Sequence, residues 1–227
     1  TIRLYEDLSK SSSDKYQYIF PDFNFEKNID LDENYNGQFK FLSSGFQKIY
    51  DTNKYETLIN NDFNFESYDT ISSSGIVTNY SLLLKNFNTY SENSTVYESK
   101  NDHEIFGTFL LKAGLPLKKG LDKGNNFLKP IAQLRFSPTN GKNISATGSR
   151  LDYSSIFSPN RIGRADMVEK GKSLTLGLEF EKLNLQNEKI LGFSIGNIFK
   201  YEKNSSLPNK SKLDQTRSDI VGDFKYK

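Results

Sequence analysis

Cysteine is absent from the 227 residues and histidine occurs once. The first absence removes disulfides, thiolate metal sites and cysteine nucleophiles together. The second leaves His103 without the partners that the usual zinc constellations need, so it reads as a loop histidine. Long apolar runs are missing too: Phe109 to Leu117 is interrupted by Lys112 and Pro116, far short of the roughly 18–20 residues a membrane-crossing helix needs. An excess of one charge is also missing. The 30 Lys and Arg face 28 Asp and Glu for a net +2, and so balanced a chain is not expected to bind nucleic acid. The opening residues, Thr1-Ile2-Arg3-Leu4-Tyr5-Glu6-Asp7, show no basic segment followed by an apolar one, which for an exported protein implies a processed or truncated chain.

What is present is an unusual pairing of traits. Hydrophobic residues are 35%, below the roughly 45–50% of globular domains, yet aromatics reach 14% through 18 Phe and 13 Tyr. Disordered chains are poor in aromatics, so disorder does not explain the low hydropathy. A membrane barrel does, because only one face of each strand meets lipid while the other face and the loops stay polar.

Strict alternation is the clearest local signal. In Leu174-Thr175-Leu176-Gly177-Leu178-Glu179-Phe180-Glu181 every large apolar side chain has one parity, which makes a strand with one greasy face. Steps of two residues on a helix would scatter the same side chains around the cylinder. Leu191, Phe193, Ile195, Phe199 and Tyr201 repeat the pattern against Gly192, Ser194, Gly196 and Lys200, with Asn197 the single exception. So do Leu128, Pro130, Ala132, Leu134 and Phe136 against Lys129, Gln133 and Arg135, and Ile220, Gly222, Phe224 and Tyr226 against Asp223, Lys225 and Lys227. Looser strands run through Phe39 and Phe41, Phe63 and Phe65, and Tyr80, Leu82 and Leu84. Around Tyr16 to Phe25 the pattern breaks at Pro21, which predicts a bulge or irregular strand. Tyr16, Tyr18, Tyr201 and Tyr226 fall where interfacial aromatic girdles would lie. Polar stretches from Asn86 to Asn101, Asn140 to Arg150 and Asn204 to Asp214 read as loops. The expected fold is all-β, an antiparallel up-and-down transmembrane barrel in part, with about ten strands of a larger barrel.

Motifs for chemistry fail on inspection. Asp30-Leu31-Asp32-Glu33-Asn34 begins like a calcium loop, but Tyr35 stands where glycine is needed and Phe41 where the bidentate glutamate is, which leaves an acidic turn. Gly171-Lys172-Ser173 ends like a phosphate-binding loop, but Asp166 replaces the earlier glycine, so it reads as a turn before the strand at Leu174. Nothing selects a catalytic pair from Asp152, Asp166, Glu169 and Glu179. No catalytic, metal or cofactor site is expected.

From Phe127 to Phe224 the chain resembles the barrel domain of the lipopolysaccharide-assembly family LptD, the organic solvent tolerance proteins. Gly114-Leu115-Pro116-Leu117 and then Leu128 to Pro138 are similar to the family's paired strands before a long loop, followed by Leu151-Asp152-Tyr153 and Ile156-Phe157. The signature of Asn160, Arg161, Gly163, Asp166, Glu169 and Gly171 comes next, with departures at Arg164 and Met167. Phe193 to Phe199 resembles the following strand, and Arg217-Ser218-Asp219 resembles the start of the one after. Independently of the family, Arg161, Arg164, Asp166 and Glu169 lie in a connection where opposite charges can pin a loop.

The resemblance implies that residues 1–227 are an internal segment of the barrel domain, without the signal peptide, the periplasmic jelly-roll or the closing strands. It implies a non-enzymatic role in the outer membrane of a Gram-negative bacterium, inserting lipopolysaccharide into the outer leaflet as the barrel of a translocon. The implied partners are lipopolysaccharide, a plug lipoprotein, periplasmic bridge proteins and membrane lipid. Lys129, Arg135 and Lys200 would be lumen-facing charges. Two other classes stay open: another outer-membrane barrel such as a porin or receptor, and a soluble β-sandwich that binds carbohydrate. The direction of the Leu174 to Phe180 row separates them, since a sandwich buries it and a barrel turns it out.

Overall fold

The computed structural model describes residues 1–10, 13–31, 35–97, 99–121, 124–139 and 141–227. Of the acidic turn expected over Asp30 to Asn34, Asp30 is the last residue of a strand and Asp32, Glu33 and Asn34 lie outside the described residues, as does Asn140 of the loop expected from it to Arg150. Strands make up the regular structure: β1 (Arg3–Glu6), β2 (Tyr16–Asp30), β3 (Gly37–Tyr50), β4 (Tyr55–Ser67), β5 (Thr70–Ile71), β6 (Val77–Glu92), β7 (Asp102–Gly114), β8 (Leu117–Leu121), β9 (Gly124–Ser137), β10 (Gly171–Leu183), β11 (Lys189–Lys200) and β12 (Val221–Tyr226). They form one sheet in the order β1-β2-β3-β4-β6-β7-β9-β10-β11-β12, antiparallel throughout, with β5 paired to β6 and β8 to β9. The wall is an up-and-down meander of ten strands, and β1 and β12 are its open edges. No second sheet faces it among the described residues, so the β-sandwich alternative does not apply.

Alternation decides which face each side chain takes. On β10, Leu176 is 43% exposed while its neighbours Thr175 and Ser173 are buried. The register carries that apolar row sideways: Leu174 lies opposite Leu134 and Phe199, and Phe180 opposite Leu128 and Phe193. Phe193 then meets Phe224 of β12. In the N-terminal half Phe39 opposes Phe65, and Phe41 opposes Phe63 with ring centroids 4.8 Å apart. Phe65 and Tyr80 continue the outer layer at 5.6 Å. The Leu174 to Phe180 row therefore points to the open face, as a barrel requires and a sandwich forbids.

The opposite face is polar and covered. Lys85 on β6 pairs with Asp62 on β4 at 2.6 Å, its side chain only 2% exposed. Over β6 to β11 this inner face carries the connections 138–170 and 201–220, whose Ile144, Leu151, Ile156, Met167, Val168, Leu207 and Leu213 close a core with Leu83, Phe87, Phe106 and Ile198 from the strands. The core thus sits between the wall and its own two longest connections. Close approach is possible because the wall has no side chain where the loop lands: a Cβ on Gly196 would stand 2.3 Å from Ile156 Cδ1, and one on Gly177 2.6 Å from Phe157 Cζ. Gly196→Val is expected to cost about 1–3 kcal/mol by overpacking, and a rise in protease cleavage within 138–170 would report it.

Four local expectations are corrected. Asn86 to Glu92 is strand, not loop, because its polar groups find partners on neighbouring strands. On the outer face Ser43 donates to Asn61 at 2.7 Å, Asn61 to Asn86 at 3.2 Å and Asn88 to Asn86 at 2.6 Å, while Phe87, Thr89 and Ser91 are buried behind. His103 belongs to β7 rather than a loop, with Nδ1 2.8 Å from Asn88 Oδ1 at the end of the same polar row. Gly171-Lys172-Ser173 is the first turn of pleat in β10, not a turn before it, since Lys172 pairs opposite Phe136. Arg217-Ser218-Asp219 precedes β12 and only bridges the end of β11 at Phe199. The irregularity expected near Pro21 is present as a register shift between Ile19 and Asp22.

Candidate functional site

The connection 138–170 is held in place at its last residues. Glu169 is 1% exposed and accepts from Arg161 twice, Nε to Oε2 at 2.5 Å and Nη2 to Oε1 at 2.9 Å. Lys200 at the end of β11 adds a third cationic contact, Nζ to Oε1 at 2.7 Å, and also donates to the Leu213 carbonyl in the connection 201–220. Arg135 on β9 reaches across to the backbone, Nη2 to Glu169 O at 2.7 Å and Nε to Pro159 O at 3.2 Å. Glu169 is therefore the joint at which β9, β11 and both long connections meet. Burial works to raise its carboxyl, but the charges of Arg161, Lys200 and Arg135 outweigh it and hold Glu169 well below the ordinary carboxylate range.

The other motif residues build the same loop. Asn160 closes a tight turn, donating from Nδ2 to Arg164 O at 2.6 Å and accepting at its carbonyl from Gly163 N at 3.0 Å. Gly163 has φ +72, a conformation that glycine takes without a Cβ penalty. Asp166 pairs bidentately with Arg164 at 2.7 and 2.6 Å, so Arg164, a departure from the family pattern, has a partner of its own. Gly171, at φ +119, turns the chain out of the loop and into β10. Ser218 stitches the end of β11, its Oγ accepting from Ile198 N at 3.0 Å, and Arg217 donates to Asn197 Oδ1 at 3.1 Å while lying over the Phe199 ring. Asp219 is exposed and pairs with Lys212 at 3.2 Å.

Arg135 and Lys200 share the inner face as their parity required, but the loop covers them, so they serve as anchors and not as an open lining. Lys129 has the same parity and is only partly buried, with its side chain beside Gly114. The carboxylates screened for chemistry are dispersed: Glu179 accepts from the Tyr153 hydroxyl at 3.0 Å, Asp152 from Ser154 at 2.7 Å, and Asp166 and Glu169 are ion-paired. Sequence reasoning did not join Glu169 to Lys200 and Arg135, although their position on the polar parity was the available signal. It also left Asn197 as a bare exception, where the structure has its Nδ2 donating to Ser218 O at 2.8 Å and closing the upper edge of β11.

A ten-stranded antiparallel wall, apolar outside, polar inside and lined by its own long connections, is the wall of an outer-membrane-type β-barrel. The family model described as LPS transport system D, LptD, matches residues 2–227, and the chain belongs to that family. The match includes the N-terminal half, where the sequence motifs had not reached. No curated protein matches the chain. LptD proteins reside in the outer membrane of Gram-negative bacteria and act in lipopolysaccharide transport and assembly; theirs is not a family of enzymes.

Proposed function

We propose that this chain forms barrel wall in a translocon that inserts lipopolysaccharide into the outer leaflet, with no bond made or broken. The observation that carries the reading is the segregation of the two faces: rows such as Leu174 to Phe180 turned toward lipid, and an inner face of ion pairs that keeps charged sugars compatible with the interior. The connections 138–170 and 201–220 leave the same end of the wall. Long connections in such barrels are extracellular and short ones periplasmic, so this end faces outward. Residues 160–171 and 217–219 then work as a structural insert: Glu169 and its three cations keep the longest connection against the wall, which sets the width of the interior at the outer end. Lys129, less covered than Arg135 or Lys200, is an inner-face cation left to meet a phosphorylated sugar or a plug lipoprotein.

Depletion of the protein from living cells tests the reading. Newly made lipopolysaccharide should stop reaching the cell surface while uptake of small solutes is unchanged. Loss of solute uptake with lipopolysaccharide still arriving would make the chain a porin instead.

A further inference from the structure

At the outward end of β10 two unlike surfaces meet. On one side is a hollow of about 330 Å³ bordered by Lys142, Arg161, Lys170, Lys172, Lys200 and Lys203, against only Glu169 and Glu202 among its carboxylates. Glu169 is already matched by Arg161 and Lys200, and Lys142 pairs with Glu104 at 2.9 Å, so Lys172 and Lys203 face Glu202 and the hollow stays positive. Arg161 is 3% exposed, and its Nη1 is buried with no hydrogen-bond partner among the described residues. That nitrogen has almost no accessible surface, and the other two hold Glu169, so an anion in the hollow meets exposed cations at its mouth such as Lys172 and Lys203.

On the lipid-facing side lies a groove of about 540 Å³ between Phe109, Leu134, Phe136, Leu174, Phe199 and Tyr201. It is apolar, and Phe109, Leu134, Phe136, Phe199 and Tyr201 are all exposed. Lys172 and Lys200 border both spaces. Lys172 is the outer-row residue immediately beyond Leu174, and its Nζ stands 5.9 Å from the ring centroids of both Phe136 and Tyr201. A cation held between aromatic rings where an apolar row ends is placed at the headgroup level of a bilayer.

We propose that this rim binds one phosphorylated lipid, its phosphate between Lys172 and Lys203 and an acyl chain along the Phe136–Leu174–Phe199 groove. The proposal rests on the outward orientation given above. Neither half suffices alone: the hollow is lined mainly by charged and polar groups, and the groove is largely apolar. A lipid held there would sit at the outer leaflet with its phosphate met by protein.

The test uses the full chain in detergent micelles, with native mass spectrometry reading retention of phosphatidic acid against phosphatidylcholine of identical chains and inorganic phosphate as competitor. The protein should prefer phosphatidic acid by roughly tenfold or more, as two charge-assisted contacts require. Lys172→Glu with Lys203→Glu should abolish the preference, and Lys172→Arg with Lys203→Arg should keep it, with the strand signal in circular dichroism unchanged in both. Equal retention of the two lipids by the unaltered protein would overturn the proposal. Inorganic phosphate displacing phosphatidic acid at equal concentration would also overturn it, since the site would then read a free anion. The assay involves no export, so its failure is distinct from the failure of the lipopolysaccharide reading, which the depletion experiment addresses.

Discussion

Glu169→Gln is expected to destabilise the connection 138–170 by about 3–5 kcal/mol, because removing one partner of a buried ion pair leaves the others uncompensated. Here the stranded groups are Arg161, 3% exposed, and Lys200, whose side chain is 5% exposed. Lys200→Met should cost less, about 1.5–3 kcal/mol, since it removes one contact to Glu169 and one to the Leu213 carbonyl but leaves the bidentate Arg161 contact intact. Limited proteolysis within 138–170 reads both, and the order Glu169→Gln above Lys200→Met is the discriminating result. Equal sensitivity would mean that Glu169 is not the joint. The pH dependence has a definite sign. The folded-state carboxyl titrates below its ordinary value of 4.5, so its stabilising contribution is fully present above that value and is lost as pH falls below it. Protease sensitivity should therefore rise on acidification below about pH 4.5 in the unaltered chain, and Glu169→Gln should flatten that rise.

Leu176→Arg is expected to cost about 2–4 kcal/mol in folding into phospholipid vesicles, the penalty of a cation at mid-depth on a lipid-facing strand. Leu176 lies at the middle of the Leu174 to Phe180 row and is 43% exposed. In a water-facing wall the same change would be nearly free. Leu185→Arg is the control: Leu185 is 68% exposed in the connection between β10 and β11, and its change should stay within about 0.5 kcal/mol. Denaturant titrations in vesicles measure both. Equal costs would show that the open face of β10 does not meet lipid.

How much of this was readable depends on whether one side-chain row was uniform. From β9 to β11 the outward row is large and apolar and the inward row small or polar, so strand, face and barrel class follow from a period of two. From Asn86 to Glu92 the outward row turns to Asn86, Asn88 and Tyr90, the contrast between faces fades, and the stretch looked like loop. Its strand state depends on donors supplied by Asn61 of β4 and His103 of β7, which are distant in sequence. Asn197 shows the same limit: an exception to the pattern along its own strand, it is explained by the backbone of Ser218 and Asp219 returning beside β11.

The site divides along the same line. Arg161 and Glu169 stood eight residues apart in one motif, so their pairing was open to a reader of the chain. Arg135 and Lys200 were visible only as inward-facing charges, and whether they would line an open interior or hold a loop against the wall could not be read from parity. Strand identity, the outward direction of the apolar rows and the family were contained in the order of residues, because alternation is a local property and each strand displays it alone. Which connections fold back over the inner face, and that Glu169 gathers cations from three segments, were decided in three dimensions. A buried charge is tolerated only where its partners are brought to it, and the register of β9, β10 and β11 is what brings them.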